Sequence, residues 1–268
     1  MRMSFMILLA VWRICMNIII ITGASSGLGA EFARQLDRAF HQMDEIWLIA
    51  RRKQAMLEVA QNLNHTVRVL DMDITDDNDM CRLQHLLTTQ KPIIRLLVNC
   101  AGYGILGEFA FSDLSSELGM IDVNCKALTN MTYQCIPYMK KNSRIIQLAS
   151  SAAFLPQPNF AVYAATKSYV YSFSRALRRE LKPREIYVTA VCPGPVNTPF
   201  FDIAEKAGGV LAVKKLTMVR ADRVVRRAIL DAYHKHENSV YGLIIKGFHI
   251  LSKLFPHKIL LNIMAHLK

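Results

Sequence analysis

Acidic residues are scarce in this chain. Its 268 residues include 21 Asp and Glu against 33 Lys and Arg, a formal net charge of +12. That imbalance suits an anionic partner, whether nucleic acid, an anionic membrane surface or an anionic ligand. The chain shows no nucleic-acid-binding motif and no interleaving of basic and aromatic side chains of the kind that grips single strands. No nucleic acid is expected as a partner. Long apolar runs are missing as well. The opening MRMSFMILLAVWRIC is apolar, but Arg13 and Asn17 interrupt it before the ~20 residues a bilayer span needs. No small-residue cleavage site marks a signal peptide. Residues 1–15 therefore read as a dispensable apolar extension, with a membrane-associating segment as the functional alternative. Cysteine pairs are absent too: Cys15, Cys81, Cys100, Cys125, Cys135 and Cys192 form no C-x-x-C. That spacing argues against a structural metal and for a reduced, cytoplasmic protein. Cys100 and Cys192 fall in strand-end loops, and the others are expected to be buried.

Repeats, low-complexity stretches and linkers are lacking. With 52% apolar residues, the length suits one α/β domain with a large core. NIIIIT, 17–22, is a continuous apolar run, as a parallel strand buried on both faces would be. It leads into Gly23, Ser25, Ser26, Gly27, Leu28 and Gly29 and then a helical pattern. Glycines let a backbone approach a pyrophosphate, and a helix start offers free N–H groups and a positive dipole end. The spacing is G-x-x-x-G-x-G, not the G-x-G-x-x-G dinucleotide fingerprint. Further strands are expected at 45–50, 66–70, 94–98, 144–149, 186–191 and 240–245. Helices are expected at 54–63, 113–141, from Tyr163 to about 182, and at 221–235. Asp76 reads as a helix cap.

Chemistry-bearing residues sit at the ends of these strands. Arg51 and Arg52 follow the second, where an NAD site would place an acid; arginine accommodates a 2′-phosphate. Asp73 and Ile74 follow the third, in a position to rest against an adenine. Asn99, Ala101 and Gly102 follow the fourth and leave room for a cofactor. Asn124 lies within the long helix, an odd choice if buried unless its amide has a task. Ser150 ends the fifth strand, and Tyr163 and Lys167 open the next helix four residues apart. Positions i and i+4 share a helix face, so the Lys167 ammonium can stand beside the Tyr163 phenol. A nearby cation would lower the phenol pKa and equip Tyr163 to exchange a proton near neutral pH. Pro193, Gly194, Val196 and Thr198 form a stiff loop after the sixth strand. Residues 199–219 have the length and glycine content of a lid.

Together these motifs, in their order and spacing, resemble the short-chain dehydrogenase/reductase family over about 16–245. Thr22-Gly23-x-x-x-Gly27-x-Gly29 is similar to its cofactor loop. Asn99-Cys100-Ala101-Gly102 is similar to its N-N-A-G, with Cys100 as the departure. Asn124, Ser150, Tyr163 and Lys167 match its catalytic tetrad, and a serine thirteen residues before the tyrosine selects Ser150 over Ser151. Pro193-Gly194 matches the nicotinamide loop, and Thr198 the hydroxyl that holds the carboxamide. The resemblance implies a Rossmann-type doubly wound sheet of about seven parallel strands with helices on both faces. It implies a nicotinamide cofactor, which Arg51 and Arg52 point to as NADP(H), with Tyr163 and Lys167 also touching it, and hydride transfer to a carbonyl that Tyr163 protonates. Ser150 would hold the carbonyl oxygen, Lys167 would tune the phenol, and Asn124 would hold a water that links Lys167 to solvent. The expected substrate is an apolar ketone, steroid or lipid, worked in the reductive direction. A 3-oxoacyl thioester is the second reading, and a non-catalytic NADP(H)-binding regulator a third from another class. A homo-oligomer, dimer or tetramer, is expected.

Residues 246–268 remain as a tail. Apolar residues recur there at helical spacing with lysines between them, and Pro256 divides the stretch. Such a basic amphipathic tail can lie on the inner face of an anionic membrane, or pack on a substrate mouth or a second subunit.

Overall fold

The computed structural model describes residues 16–205 and 218–266. The extension 1–15 and most of the expected lid, 206–217, lie outside the described residues. Seven strands form one sheet: β1 (Asn17–Thr22), β2 (Glu45–Ala50), β3 (Thr66–Asp71), β4 (Ile93–Asn99), β5 (Arg144–Leu148), β6 (Tyr187–Val191) and β9 (Asn238–Ser239). Their order is β3-β2-β1-β4-β5-β6-β9, and every pairing is parallel. The order turns back at β1, so β1 and β4 diverge into opposite halves and leave a crevice at their carboxyl ends. A separate parallel pair, β7 (Val196–Asn197) with β8 (Val219–Arg220), was not legible in the sequence.

The strand chemistry explains the layers. Ile18, Ile19, Ile20 and Ile21 of β1 are all fully buried. Ile18 and Ile20 enter one core with Trp47 and Leu97, while Ile19 and Ile21 enter the other with Leu48 and Val98. A two-residue side-chain period thus feeds two hydrophobic layers, one on each face of the sheet. Helices cover both: α1 (Gly27–Ala39), α2 (Lys53–Ala60), α3 (Asp77–Gln90), α4 (Leu114–Ile121), α5 (Leu128–Cys135), α6 (Ala161–Glu180), the short α7 (Phe200–Ala204) and α8 (Ala221–Tyr233). Asp76 caps α3, its side chain accepting from the Asp79 N–H. α1 carries Phe32, Ala33 and Leu36 into the second core.

Three expectations need correction. The single helix over 113–141 is instead α4, a π-helical turn at Asp122–Ala127, then α5 and a 3-10 turn at Ile136–Tyr138. The wide turn falls at Asn124, whose amide bonds outside its own helix. No strand runs over 240–245. Its apolar, β-branched composition reads equally well as helix, and from Leu243 the chain is helical: α9 (Leu243–Leu254) is followed, after Pro256, by α10 (His257–His266). The last sheet strand is only Asn238–Ser239. Cys81 is exposed rather than buried, on the outer side of α3, and Cys125 is only partly buried.

Candidate active site

The carboxyl ends of β1, β4, β5 and β6 converge with the start of α6. Steric facts fix the turn after β1. Gly23 has φ +66°, and a side chain there would begin 2.8 Å from the Ala101 backbone. At Gly29 a Cβ would stand 2.2 Å from the Gly23 carbonyl oxygen. Only glycines allow β1, the turn and the 100–102 segment to approach so closely. Thr22 locks the arrangement: its hydroxyl accepts from the Cys100 and Ala101 N–H groups, each at 3.1 Å. Ser26, the residue before α1, makes no side-chain cap to the helix. The Ser26 side chain thus leaves the first N–H groups of α1 uncapped, as a helix start that takes an anion would be. Gly27 faces the loop after β6, since a side chain on it would start 3.4 Å from Thr198.

At the end of β2, Arg52 reaches across to this turn. Its guanidinium donates to the Ser25 and Ser26 hydroxyls at 3.0 and 2.6 Å. Arg51 lies 3.6 Å from the Asp73 carboxylate. Burial pushes the Asp73 pKa up, but hydrogen bonds from Thr75 and the Arg51 charge outweigh it and leave it lowered. Arg52 therefore contacts the glycine turn, while Arg51 stands against the Asp73 carboxylate. Ile74 is largely absorbed into the core. The Asn99 side chain also turns inward: its Nδ2 donates to Thr132 Oγ1 (2.9 Å) and Gln147 Oε1 (3.0 Å). Asn99 and Ile74 thus present mainly backbone to the crevice. This interior amide network was not anticipated from sequence.

Tyr163, Lys167, Ser150 and Asn124 are all buried. Lys167 Nζ donates to the Leu148 carbonyl at 2.8 Å and stands 5.6 Å from the Tyr163 ring centre. Burial lowers its pKa to about 8. Burial raises the Tyr163 phenol to about 12, with Ser150 pulling weakly the other way. The expectation that Lys167 depresses the phenol pKa is thus not met: desolvation dominates at Tyr163, and the Lys167 ammonium is turned to a backbone carbonyl. Ser150 Oγ accepts from the Ala152 N–H at 3.1 Å, which holds the hydroxyl at the strand end. Asn124 Oδ1 accepts from the Tyr103 N–H (3.1 Å), and its Nδ2 donates to the Tyr103 carbonyl (2.9 Å) and Thr166 Oγ1 (3.0 Å). A Cβ on Gly102 would lie 2.7 Å from Asn124 Oδ1 and 3.3 Å from Lys167 Nζ. The two polar groups therefore both lie close against Gly102.

Aromatic rings close the site, a feature the sequence reading missed. Phe160 stacks on Tyr163 at 4.1 Å between ring centres, and Phe200 tilts against it at 5.5 Å. Gly104 passes beneath, where any side chain would strike both Tyr163 and Phe160. These contacts join residues far apart in sequence, and no local pattern signals them. On the far side Pro193 accepts from the Ser151 N–H at 2.8 Å, and Val196 is buried in its pairing with Val219. Among the described residues, no three His, Cys, Asp or Glu side chains gather as a metal site would require.

Comparison with known proteins agrees with this architecture. Residues 17–207 match the family model described as short chain dehydrogenase. An uncharacterized oxidoreductase of Staphylococcus epidermidis is 33% identical over 229 residues, covering 84% of this chain and 95% of that protein. Sulfoacetaldehyde reductase 2 of Chromohalobacter salexigens is also 33% identical, over 69% of this chain and 74% of that protein. Among solved structures, a short-chain dehydrogenase from Sphingobium yanoikuyae in complex with NADPH superposes with a TM-score of 0.73. It is 25% identical, with 90% of this chain and 97% of that one covered.

Proposed function

This chain belongs to the short-chain dehydrogenase/reductase family of oxidoreductases, and we propose that it is an NADPH-dependent carbonyl reductase. The observation that carries the reading is the gathering of four buried side chains, Tyr163, Ser150, Lys167 and Asn124, at the carboxyl end of the sheet. The Tyr163 hydroxyl carries its proton at neutral pH and is the group placed to give it to a carbonyl oxygen. NADPH, when bound, supplies the hydride. Ser150 and Tyr163 hold the carbonyl oxygen, and Tyr163 delivers its proton to it. Lys167 and Asn124 lie together against Gly102, and a water held by Asn124 would link Lys167 to solvent and return a proton to Tyr163. The uncapped N–H groups of α1 and the close-packed glycines form a cradle for a pyrophosphate, with Leu28 in its first turn. Arg51 and Arg52 follow β2, and arginines there suit a 2′-phosphate, which is the ground for preferring NADP(H) over NAD(H). Ala101, Gly102, Pro193, Gly194, Val196 and Thr198 line the remainder of the crevice, with the backbone of Asp73, Ile74 and Asn99.

The Phe160 and Phe200 rings on Tyr163 favour an apolar ketone of steroid or lipid type over a small charged substrate. A 3-oxoacyl thioester is the second reading, and the intact set of four residues speaks against a non-catalytic regulator. A homo-oligomer is part of the proposal, since Leu118, Tyr133 and Tyr169 leave apolar surface exposed on the α4–α6 side. The cytoplasmic setting rests on the cysteine pattern alone. A screen of NADPH oxidation over ketosteroids, 3-oxoacyl thioesters and simple aldehydes tests the reading. Turnover of the apolar ketones supports it. Turnover with NADH and not NADPH contradicts the cofactor assignment.

A further inference from the structure

α9 has two apolar faces, and only one of them is used by the fold. The inner face seats Ile245 and Phe248 against Phe154 and Cys192. Ile245 occupies the space a side chain on Gly194 would need, 2.6 Å away. His249 stacks on Phe154 at 4.2 Å and meets the Tyr171 hydroxyl at 3.2 Å. These contacts fix α9 against the segment after Ser150 and against the Pro193–Gly194 loop, beside the candidate active site.

The outer face is an unpaired apolar stripe. Leu243, Ile244, Ile250, Leu251 and Leu254 are exposed, Leu243 by 86% and Leu254 by 71%. Positions 243, 250 and 254 recur at helical spacing, as do 244 and 251, so all five share one side. Gly247 lies on the same side, with nothing within 4 Å of where its Cβ would be. Lys246 and Lys253, seven residues apart, run along one edge. Beyond Pro256, exposed Ile259 follows Lys258 on α10. From 238 to 268 the sequence contains no Asp or Glu, yet it holds Lys246, Lys253, Lys258 and Lys268.

An apolar stripe edged with lysines and free of acids is the pattern of a helix that lies in the interface of an anionic bilayer. A second copy of the chain is the poorer occupant, because pairing these faces would bring like charges together with no acid between them. Spanning is excluded for the described residues, none of whose helices is long and apolar enough to cross a membrane. We propose that the outer face of α9 and α10 docks the protein peripherally on an anionic lipid surface. The docking itself is independent of the reductase reading.

Co-sedimentation with vesicles tests the proposal. The full chain is expected to sediment with phosphatidylcholine–phosphatidylglycerol vesicles, not with phosphatidylcholine alone, and less at high salt. Each lysine near such a surface contributes about fivefold in affinity, so a Lys246→Gln/Lys253→Gln/Lys258→Gln variant should lose about a hundredfold. Leu243→Ser/Leu254→Ser should weaken binding as well. Both variants should unfold at the wild-type temperature, because the altered side chains are exposed. Equal sedimentation with both vesicle types overturns the proposal, as does no binding, or unchanged binding by either variant. A concentration-dependent dimer that Leu254→Ser dissolves, without vesicle binding, would assign the face to a second copy instead.

Discussion

At the residue scale, the arginine pair after β2 sets the cofactor preference proposed above. Arg52 already holds the serines of the glycine turn, while Arg51 leans on Asp73. An Arg51→Ala/Arg52→Ala variant should bind NADPH about tenfold to a hundredfold more weakly, with NADH affinity changed by no more than a few-fold. Fluorescence titration of both nucleotides checks this, and equal losses would remove the 2′-phosphate reading. Ser150, Tyr163 and Lys167 were legible from sequence because helix spacing and a strand end bring them together locally. Their electrostatics were not. The i,i+4 rule places Lys167 near the phenol, but burial, which a sequence does not display, sets the direction of both pKa shifts. Phe160, Phe200 and Gly104 were invisible for a related reason: their significance lies in tertiary contacts with Tyr163.

At the scale of elements, the buried parallel strands were the most legible part. β1 and β2 coincide with their expected bounds, because a strand buried on both faces leaves an uninterrupted apolar run. Short apolar segments at the chain's end do not carry that signal, and 240–245, which includes only the first residues of α9, reads as strand for want of a period long enough to decide. The π-helical turn at Asn124 likewise has no sequence signature, only the suspicion attached to a buried amide. The strand–turn–helix unit of β1 and α1 carries a sharp prediction. A Gly29→Ala side chain would meet the Gly23 carbonyl at 2.2 Å, too close to tolerate without moving the turn. The variant should lose about 2–3 kcal/mol of stability in denaturant titration, together with nucleotide binding. A folded Gly29→Ala protein of unchanged stability would show that the turn is not so constrained.

At the scale of the whole molecule, stability should depend on pH from both sides. Asp37 is buried and accepts hydrogen bonds from Asn64 and His65, at 2.8 Å from the Asn64 N–H and 2.9 Å from the His65 N–H. Burial raises its pKa, but those bonds outweigh it, and the net shift is downward. Asp37 therefore stabilises the fold above its ordinary value of 3.8, and that contribution is lost as pH falls through the depressed folded-state value. Lys167 behaves in the opposite sense. Its folded-state pKa is about 8 against an ordinary 10.5, so the unfolded chain binds the proton more strongly between these values. Stability from this group rises with pH over that window. Thermal unfolding across pH should show an Asp37→Asn variant less stable at neutral pH and less sensitive to acid. It should also show a Lys167→Met variant lacking the rise between pH 8 and 10.5. Wild-type slopes retained in both variants would assign these pH effects elsewhere.

The central claim is that Tyr163 delivers the proton to a carbonyl while the fold holds the cofactor. Its most direct test is Tyr163→Phe, assayed for NADPH oxidation with whichever carbonyl the wild type reduces, alongside an NADPH binding titration. The account predicts turnover lowered by about 10²–10⁴-fold, with NADPH affinity within a few-fold of wild type. Turnover retained in Tyr163→Phe would contradict it.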